Sequence, residues 1–313
     1  MTASFFHDDE LTAQRLAGGG PIGVGIRSFM PAQHRALFAL LPYLFVATTD
    51  RDGWPLATVL TGRPGFVAAT DATHIEIGAL PAPDDPAAPN FDRGQHCGVL
   101  GLDLTTRRRN RANGTIVDRA ANGFALRVQQ SFDNCPKYIR RRSVEPMPRV
   151  PQAVQTLAAL DTDSRSLIAM ADTFFVASRA RNAVGTRGGM DISHRGGKPG
   201  FVRVDGDRLS IPDFRGNRYY NTLGNLLGEP RASLLFLDFE RGDIVQLQGT
   251  VDIDWDAGAD VIGAERMWHF QIMRGWRRRS ALPLRWRCID SDSAPGGSGS
   301  PRALTSATGP VAE

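Results

Sequence analysis

Cysteine is scarce: three in 313 residues. Cys97, Cys135 and Cys288 are far apart and make no CxxC pair, no zinc-like spacing and no even-numbered disulfide framework. Long apolar runs are also missing. None approaches the roughly 18 residues of a membrane span, so a soluble chain without a membrane partner is expected. The first ten residues, Met1 to Glu10, are polar and acidic rather than leader-like. Together with the unpaired thiols, this leads to an expectation of a cytoplasmic location. The histidines His7, His34, His74, His96, His194 and His269 form no local ligand pair, and no metal site is expected. Charge of one sign is not in large excess either. The 37 Lys and Arg outnumber the 33 Asp and Glu by four, so clustering matters more than the total. What remains, 42% hydrophobic and 22% charged residues, is the composition of an ordinary globular protein.

The chain repeats itself. Phe45-Val46-Ala47-Thr48 returns as Phe175-Val176-Ala177-Ser178, 130 residues later. Arg63-Pro64-Gly65-Phe66-Val67 returns as Lys198-Pro199-Gly200-Phe201-Val202, Leu102-Asp103-Leu104 as Leu237-Asp238-Phe239, and Asn113-Gly114-Thr115 as Gln248-Gly249-Thr250, each 135 residues later. Arg140-Arg141-Arg142-Ser143 returns as Arg277-Arg278-Arg279-Ser280. A period this long exceeds the roughly 20–50 residues of solenoid repeats, so each unit is a whole domain. The expected organisation is an N-terminal arm (1–30), a first domain (31–146), a linker (147–162), a second domain (163–290) and a disordered Ser/Gly/Pro/Ala-rich tail (291–313). Two fused copies can form within one chain the interface that a single-copy relative forms by dimerising. A monomeric pseudo-dimer or a homodimer of it is therefore expected.

The local pattern is that of β structure. After a helix over Pro31–Leu41, strands are predicted at Tyr43–Thr49 and Trp54–Thr61, in a hairpin over Gly65–Gly78, and at Gly98–Leu104, Gly114–Arg119 and Gly123–Gln130. Residues 80–95 read as a loop rich in Pro, Ala and Asp, and Lys137–Arg142 as one helical turn. In the second unit a helix over Ser164–Ala171, capped by Asp163, precedes strands at Thr173–Arg179, Gly200–Asp205, Arg208–Ile211, Ala232–Phe239 and Asp243–Trp255. Where the first unit has its Pro-rich loop, the second has a predicted helix over Asn217–Leu227, ended by Gly228 and Pro230. Many short strands in a unit of this size suggest a small antiparallel barrel; pattern alone does not separate a barrel from a sandwich.

Gly200-Phe201-Val202-Arg203-Val204, then Leu209-Ser210-Ile211-Pro212, Gly216-Asn217-Arg218 and Pro230-Arg231-Ala232-Ser233-Leu234-Leu235-Phe236, resemble the pyridoxamine 5′-phosphate oxidase family of FMN-binding split barrels. Thr106–Arg111 and Gln130–Tyr138 look like segments of a tandem subfamily of predicted flavin-nucleotide-binding proteins. The resemblance implies a mostly β fold of two split barrels packed as a pseudo-dimer, with FMN, or alternatively F420, at the interface. It also implies contacts from Phe201, Val202, Arg203, Pro212 and Asn221. The family's Lys after Gly-Ser-Arg is Tyr219 here, so the phosphate falls to Arg195, Lys198, Arg203, Arg215 or Arg218 in some combination.

The residues themselves suit such a ligand. A phosphate dianion needs fixed donors, and a helix start carrying Arg215, Asn217 and Arg218 supplies N–H groups and guanidinium forks. Ser193, His194, Arg195 and Lys198 form a polar, basic loop whose glycines allow close backbone approach. In the first unit, Ser131, Asn134 and Lys137 lie among aromatics, and Lys137 can put positive charge near the reducible edge of a flavin or be a plain surface charge. No neighbouring His or acid supports Cys135 as a nucleophile, and it reads as a small buried hydrophobe. The Arg107–Arg111, Arg140–Arg142 and Arg277–Arg279 runs come with no nucleic-acid motif. They read as a solvated face, or as one or two guanidinium groups reaching inward, since neighbours on a strand alternate faces. No nucleic-acid partner is expected. The expected function is an FMN-dependent oxidoreductase passing hydride or electrons to or from a small molecule, with NAD(P)H as a candidate donor and one FMN per chain. The alternatives are a non-catalytic flavin- or nucleotide-binding protein and an F420-dependent reductase. No catalytic residue is assigned.

Overall fold

A computed structural model describes residues 5–133, 135–257 and 261–289. Helices α1 (Asp8–Leu16) and α2 (Ala32–Leu40) precede strands β1 (Tyr43–Thr49), β2 (Pro55–Thr61), β3 (Val67–Ala68), β4 (His74–Ile77), β5 (His96–Asp103), β6 (Arg108–Ala120), β7 (Gly123–Asp133) and β8 (Arg142–Pro146). The chain continues through β9 (Gln155–Leu157), α3 (Thr162–Met170), β10 (Thr173–Arg179), β11 (Met190–Gly196), β12 (Arg203–Asp205) and β13 (Arg208–Phe214). It ends with α4 (Asn221–Gly228), β14 (Arg231–Leu237), β15 (Ile244–Asp254), β16 (Ala264–Arg278) and β17 (Leu284–Cys288).

The sheets repeat as the sequence does. The first runs β2-β1-β5-β6-β7-β4-β3 and the second β11-β10-β14-β15-β16-β13-β12. Adding nine to every strand of one gives the other. Both ladders shift register at the same place, between Asn113 and Gly114 and between Gln248 and Gly249. The protein is mostly β, two tandem split barrels packed as an intramolecular pseudo-dimer.

Strands β1 and β10 explain the packing. Both are buried on both faces, and their side chains alternate between two cores. Leu44 and Val46 enter the first barrel's core, and Phe174 and Val176 the second's. Tyr43, Phe45, Ala47, Phe175 and Ala177 enter a third core lying between the barrels. There the repeat-equivalent rings of Phe45 and Phe175 stack on each other, centroids 3.6 Å apart and 19° between planes. Equivalent residues meeting face to face mark a quasi-two-fold axis. Strands β8 and β17 pair across the halves.

Several elements differ from the sequence expectation. The arm contains α1, whose first turn Asp8-Asp9-Glu10 suits the positive end of a helix. Residues 155–157, expected as linker, form β9 against β16. Asp161 rather than Asp163 caps α3, accepting from the Ser164 N–H at 2.8 Å. Asp163 instead meets Arg277 and Arg279. Lys137–Arg142 is not helical. Helix α4 starts at Asn221, because Tyr220 has φ 58° and cannot lie in a right-handed turn. The tail over 291–313 lies outside the described residues. Among the described residues no helix is long and apolar enough to cross a membrane.

Candidate functional site

A cleft opens between the halves. The first barrel contributes Arg109 and Arg111 of β6 with Cys135, Lys137 and Tyr138; the second contributes the end of β11, the end of β13 and the start of α4. Its enclosed part measures about 110 Å³. That is room for a phosphate group and less than the roughly 300 Å³ of the smallest ordinary ligand pockets, so a larger ligand would extend into the open mouth.

Alternation along β6 puts Arg109 and Arg111 on the cleft side. Arg108 points away, to the Gln33 carbonyl. Arg111 is buried and donates from Nη1 to both carboxylate oxygens of Asp191, at 3.2 and 3.1 Å. Arg109 donates to the Cys135 carbonyl at 2.6 Å and meets Nδ1 of His194 at 3.2 Å. Burial pushes the Arg109 guanidinium down to about 9, so it stays charged at neutral pH. Arg195 donates to Asp213 at 2.5 Å, and Asp213 also accepts from the buried Arg266 at 2.7 Å. Asp191 and Asp213 thus offset Arg111, Arg195 and Arg266, while no carboxylate faces Arg109, Arg218 or Lys137 in any ion pair of the described residues.

The backbone is strained at this place. Of the five non-glycine residues with positive φ among the described residues, Tyr138, Arg218 and Tyr220 line the cleft. Such residues persist only where surrounding structure holds them, and they gather at functional sites. Tyr138 reaches across the halves, donating to the Arg215 carbonyl at 3.2 Å and stacking on Phe214 at 5.3 Å. The Asn217 side chain accepts from the Tyr219 N–H, shaping the turn that places Arg218. No side chain caps the start of α4, and Asn221, Thr222 and Leu223 line the cleft with it. Gly196 is needed where it is, because a Cβ there would strike the Tyr138 carbonyl.

Of the sequence-selected residues, the cleft gathers Lys137, Ser193, His194, Arg195, Phe201, Pro212, Asn217, Arg218 and Asn221. Others are elsewhere. Ser131 is buried at the β7 edge, bonded to His34 at 3.0 Å and paired with Arg27. Val202 packs in the second barrel's core. Arg203 is exposed on β12, and Lys198 is exposed in the turn between β11 and β12. Arg215 offers its carbonyl, not its exposed side chain. Asn134 lies outside the described residues. Ser193 to Gly196 are strand rather than loop. Cys135 is half-buried at the cleft wall, not in a core.

No residue of the Arg140–Arg142 and Arg277–Arg279 runs lines the cleft; Arg142, Arg277 and Arg278 are buried, while Arg279 stays on the solvated face. Arg142 grips Asp172 through both carboxylate oxygens at 2.6 Å, and Arg277 meets Asp161 and Asp163. Sequence reasoning missed Asp213, Asp191, Tyr138 and Tyr220. The only local signal was the density of polar and aromatic residues around them.

The quasi-two-fold axis defines a counterpart to this cleft, and it is filled. By register, His194 corresponds to Val59, Arg195 to Leu60, Arg111 to Gln246 and Arg109 to Ile244. Buried Asp85 of the Pro-rich loop accepts there from Thr58 at 2.5 Å, Gln246 at 3.1 Å and Arg278 at 2.7 Å. The chain's own carboxylate takes up the donors left on that side.

No family model matches the chain, and no curated protein matches it. Solved structures do. An FAD-binding protein from Mesorhizobium loti is 11% identical over 41% of this chain and 99% of its own, TM-score 0.29. A pyridoxinephosphate oxidase family protein from Clostridium acetobutylicum is 15% identical over 41% and 92%, TM-score 0.28. An FMN-binding protein from Syntrophomonas wolfei is 14% identical over 36% and 82%, TM-score 0.28. Each matches a length close to one of the two barrels. The chain resembles split-barrel proteins of the pyridoxamine 5′-phosphate oxidase type.

Proposed function

We propose that this protein binds FMN in the inter-barrel cleft, one per chain, and serves as a flavin-dependent oxidoreductase acting on a small molecule. The observation carrying the reading is an imbalance of hydrogen-bonding groups. Among the described residues, five cleft-lining side-chain nitrogens are buried without a partner: Nε of Arg109, Arg111, Arg195 and Arg218, and Nε2 of His194. No cleft-lining oxygen is in that state among the described residues. Buried polar groups are normally paired, so a donor-rich wall suits an acceptor-rich ligand. A phosphate and a ring edge of carbonyls and nitrogens have that chemistry. The names of two similar structures, FMN-binding and FAD-binding, point the same way.

Arg218 and the free N–H groups at the start of α4 would hold the phosphate. Arg109, Arg111 and His194 would donate to further acceptors, and Tyr138 with Phe214 and Phe201 would give apolar surface and exclude water. A flavin supplies hydride or electron transfer through its ring, so no acid–base pair from the chain is required. NADH or NADPH is the proposed electron donor.

The purified chain is expected to take up FMN and show bands near roughly 370 and 450 nm, the latter bleached by NADH or NADPH. Arg218→Ala removes a charge-assisted contact worth about 1.5–3 kcal/mol and should weaken FMN binding about 10- to 100-fold. A chain that stays colourless in excess FMN would end this reading.

A further inference from the structure

His194 on β11 is where the two halves of the cleft meet. It is 5% exposed and sits edge-on to the Phe175 ring, 5.8 Å between centroids. Its Nδ1 lies 3.2 Å from Nη1 of Arg109, which belongs to the other barrel. A guanidinium has donors and no acceptor. Arg109 therefore donates, and Nδ1 must be the bare nitrogen. A neutral imidazole has one proton, which then sits on Nε2. That Nε2–H is buried and has no acceptor among the described residues.

The surroundings keep the ring neutral. Burial comes first, followed by the positive charges of Arg109, Arg142, Arg195 and Arg111, and these hold His194 well below the usual imidazole range. The nearby carboxylates do not reverse this: Asp191 is taken by Arg111, Asp213 by Arg195 and Arg266, and Asp172 by Arg140 and Arg142. A protonated ring would set an Nδ1–H against the guanidinium N–H groups, donor against donor.

We infer that His194 is a fixed hydrogen-bond donor of the cleft, locked as the Nε2–H tautomer by Arg109, and that it selects ligands presenting an acceptor, a ring nitrogen or carbonyl oxygen, at that point. Toward His194, Arg109 is a positioning residue: its Nη1 acts through the imidazole, while its unpaired Nε remains a donor of its own. The choice of tautomer is made by one barrel and the donor is carried by the other, so this property requires both halves. Only the choice of FMN as probe rests on the function proposed above.

The test uses the full chain labelled with ¹⁵N-histidine. Long-range proton–nitrogen spectra of the ligand-free protein should show His194 with hydrogen on Nε2, unchanged between pH 8 and pH 6. The Nε2 resonance should shift when FMN is added. Arg109→Met should release the tautomer, giving a mixture or an Nδ1–H form. His194→Phe, which keeps a flat ring and removes the donor, should bind FMN at least 10-fold more weakly. A proton found on Nδ1, a tautomer indifferent to Arg109→Met, or unchanged FMN affinity in His194→Phe would overturn the inference. If the unmodified chain takes up no FMN, the flavin reading fails alone, because the tautomer and its dependence on Arg109 are read without ligand.

Discussion

At the scale of single residues, the cleft is built from charges that cannot all be ionised cheaply. Arg111 and Asp191 are 6% and 3% exposed, and each is the other's counter-ion. Asp191→Ala would leave the guanidinium buried and uncompensated. A loss of about 3–5 kcal/mol is expected in denaturant unfolding, and a loss under about 1 kcal/mol would mean that water reaches Arg111. Glu10 is the opposite case. It is buried 4% exposed on α1 and accepts from Asn221 at 2.6 Å. Burial pushes its carboxyl up to about 8. The folded form then holds a proton that the unfolded chain releases near its ordinary value. The contribution of Glu10 to stability is therefore full at low pH and is lost as pH rises toward about 8. Glu10→Gln should flatten that part of the stability–pH curve, and an unaltered slope would contradict the assignment. His194 adds the reverse dependence. Held neutral when folded, it costs stability as pH falls below the ordinary imidazole value, because only the unfolded chain takes up the proton.

At the scale of elements, α1 lies on α4 and steadies the end of the cleft. The contact requires Gly224, where a Cβ would come 2.5 Å from the Glu10 Cα. Gly224→Ala should push α1 away, with a cost of about 1–3 kcal/mol and faster amide exchange through Asp8–Leu16. Equal exchange in the variant would show that α1 adapts.

The elements also show what could be read from the sequence. The barrel strands were legible because period-2 burial and turn residues are local signals, and the repeat doubled each of them. Helix α1 was not, since its buried face is completed only by α4 more than 200 residues away, as in the Glu10–Asn221 bond. Strand β11 read as a loop because Arg195 and the glycines after it look like turn chemistry. The cleft was half legible. Arg218 and Asn217 stood out beside a predicted helix. The pairing of Arg109 with His194 spans 85 residues and exists only once the quasi-two-fold axis sets one barrel against the other.

At the scale of the whole molecule, the axis through Phe45 and Phe175 is the organising feature. Phe175→Ala should cost about 3–5 kcal/mol and weaken the contact between barrels, visible as a lower thermal midpoint. An unchanged midpoint would mean that the interface draws its stability elsewhere. The same axis produces two equivalent places between the barrels and makes them unequal. On one side are Arg109, Arg111, His194 and Arg195; on the other are Ile244, Gln246, Val59 and Leu60, with Asp85 already in place. A fused pair can afford this divergence, because one chain encodes both halves separately. The most direct measurement is the binding stoichiometry of FMN by titration calorimetry on the full chain. One FMN per chain is predicted, with loss of that single site in Arg218→Ala and its retention in Asp85→Asn. Two equivalent sites per chain, or one that survives Arg218→Ala unchanged and vanishes in Asp85→Asn, would contradict the account.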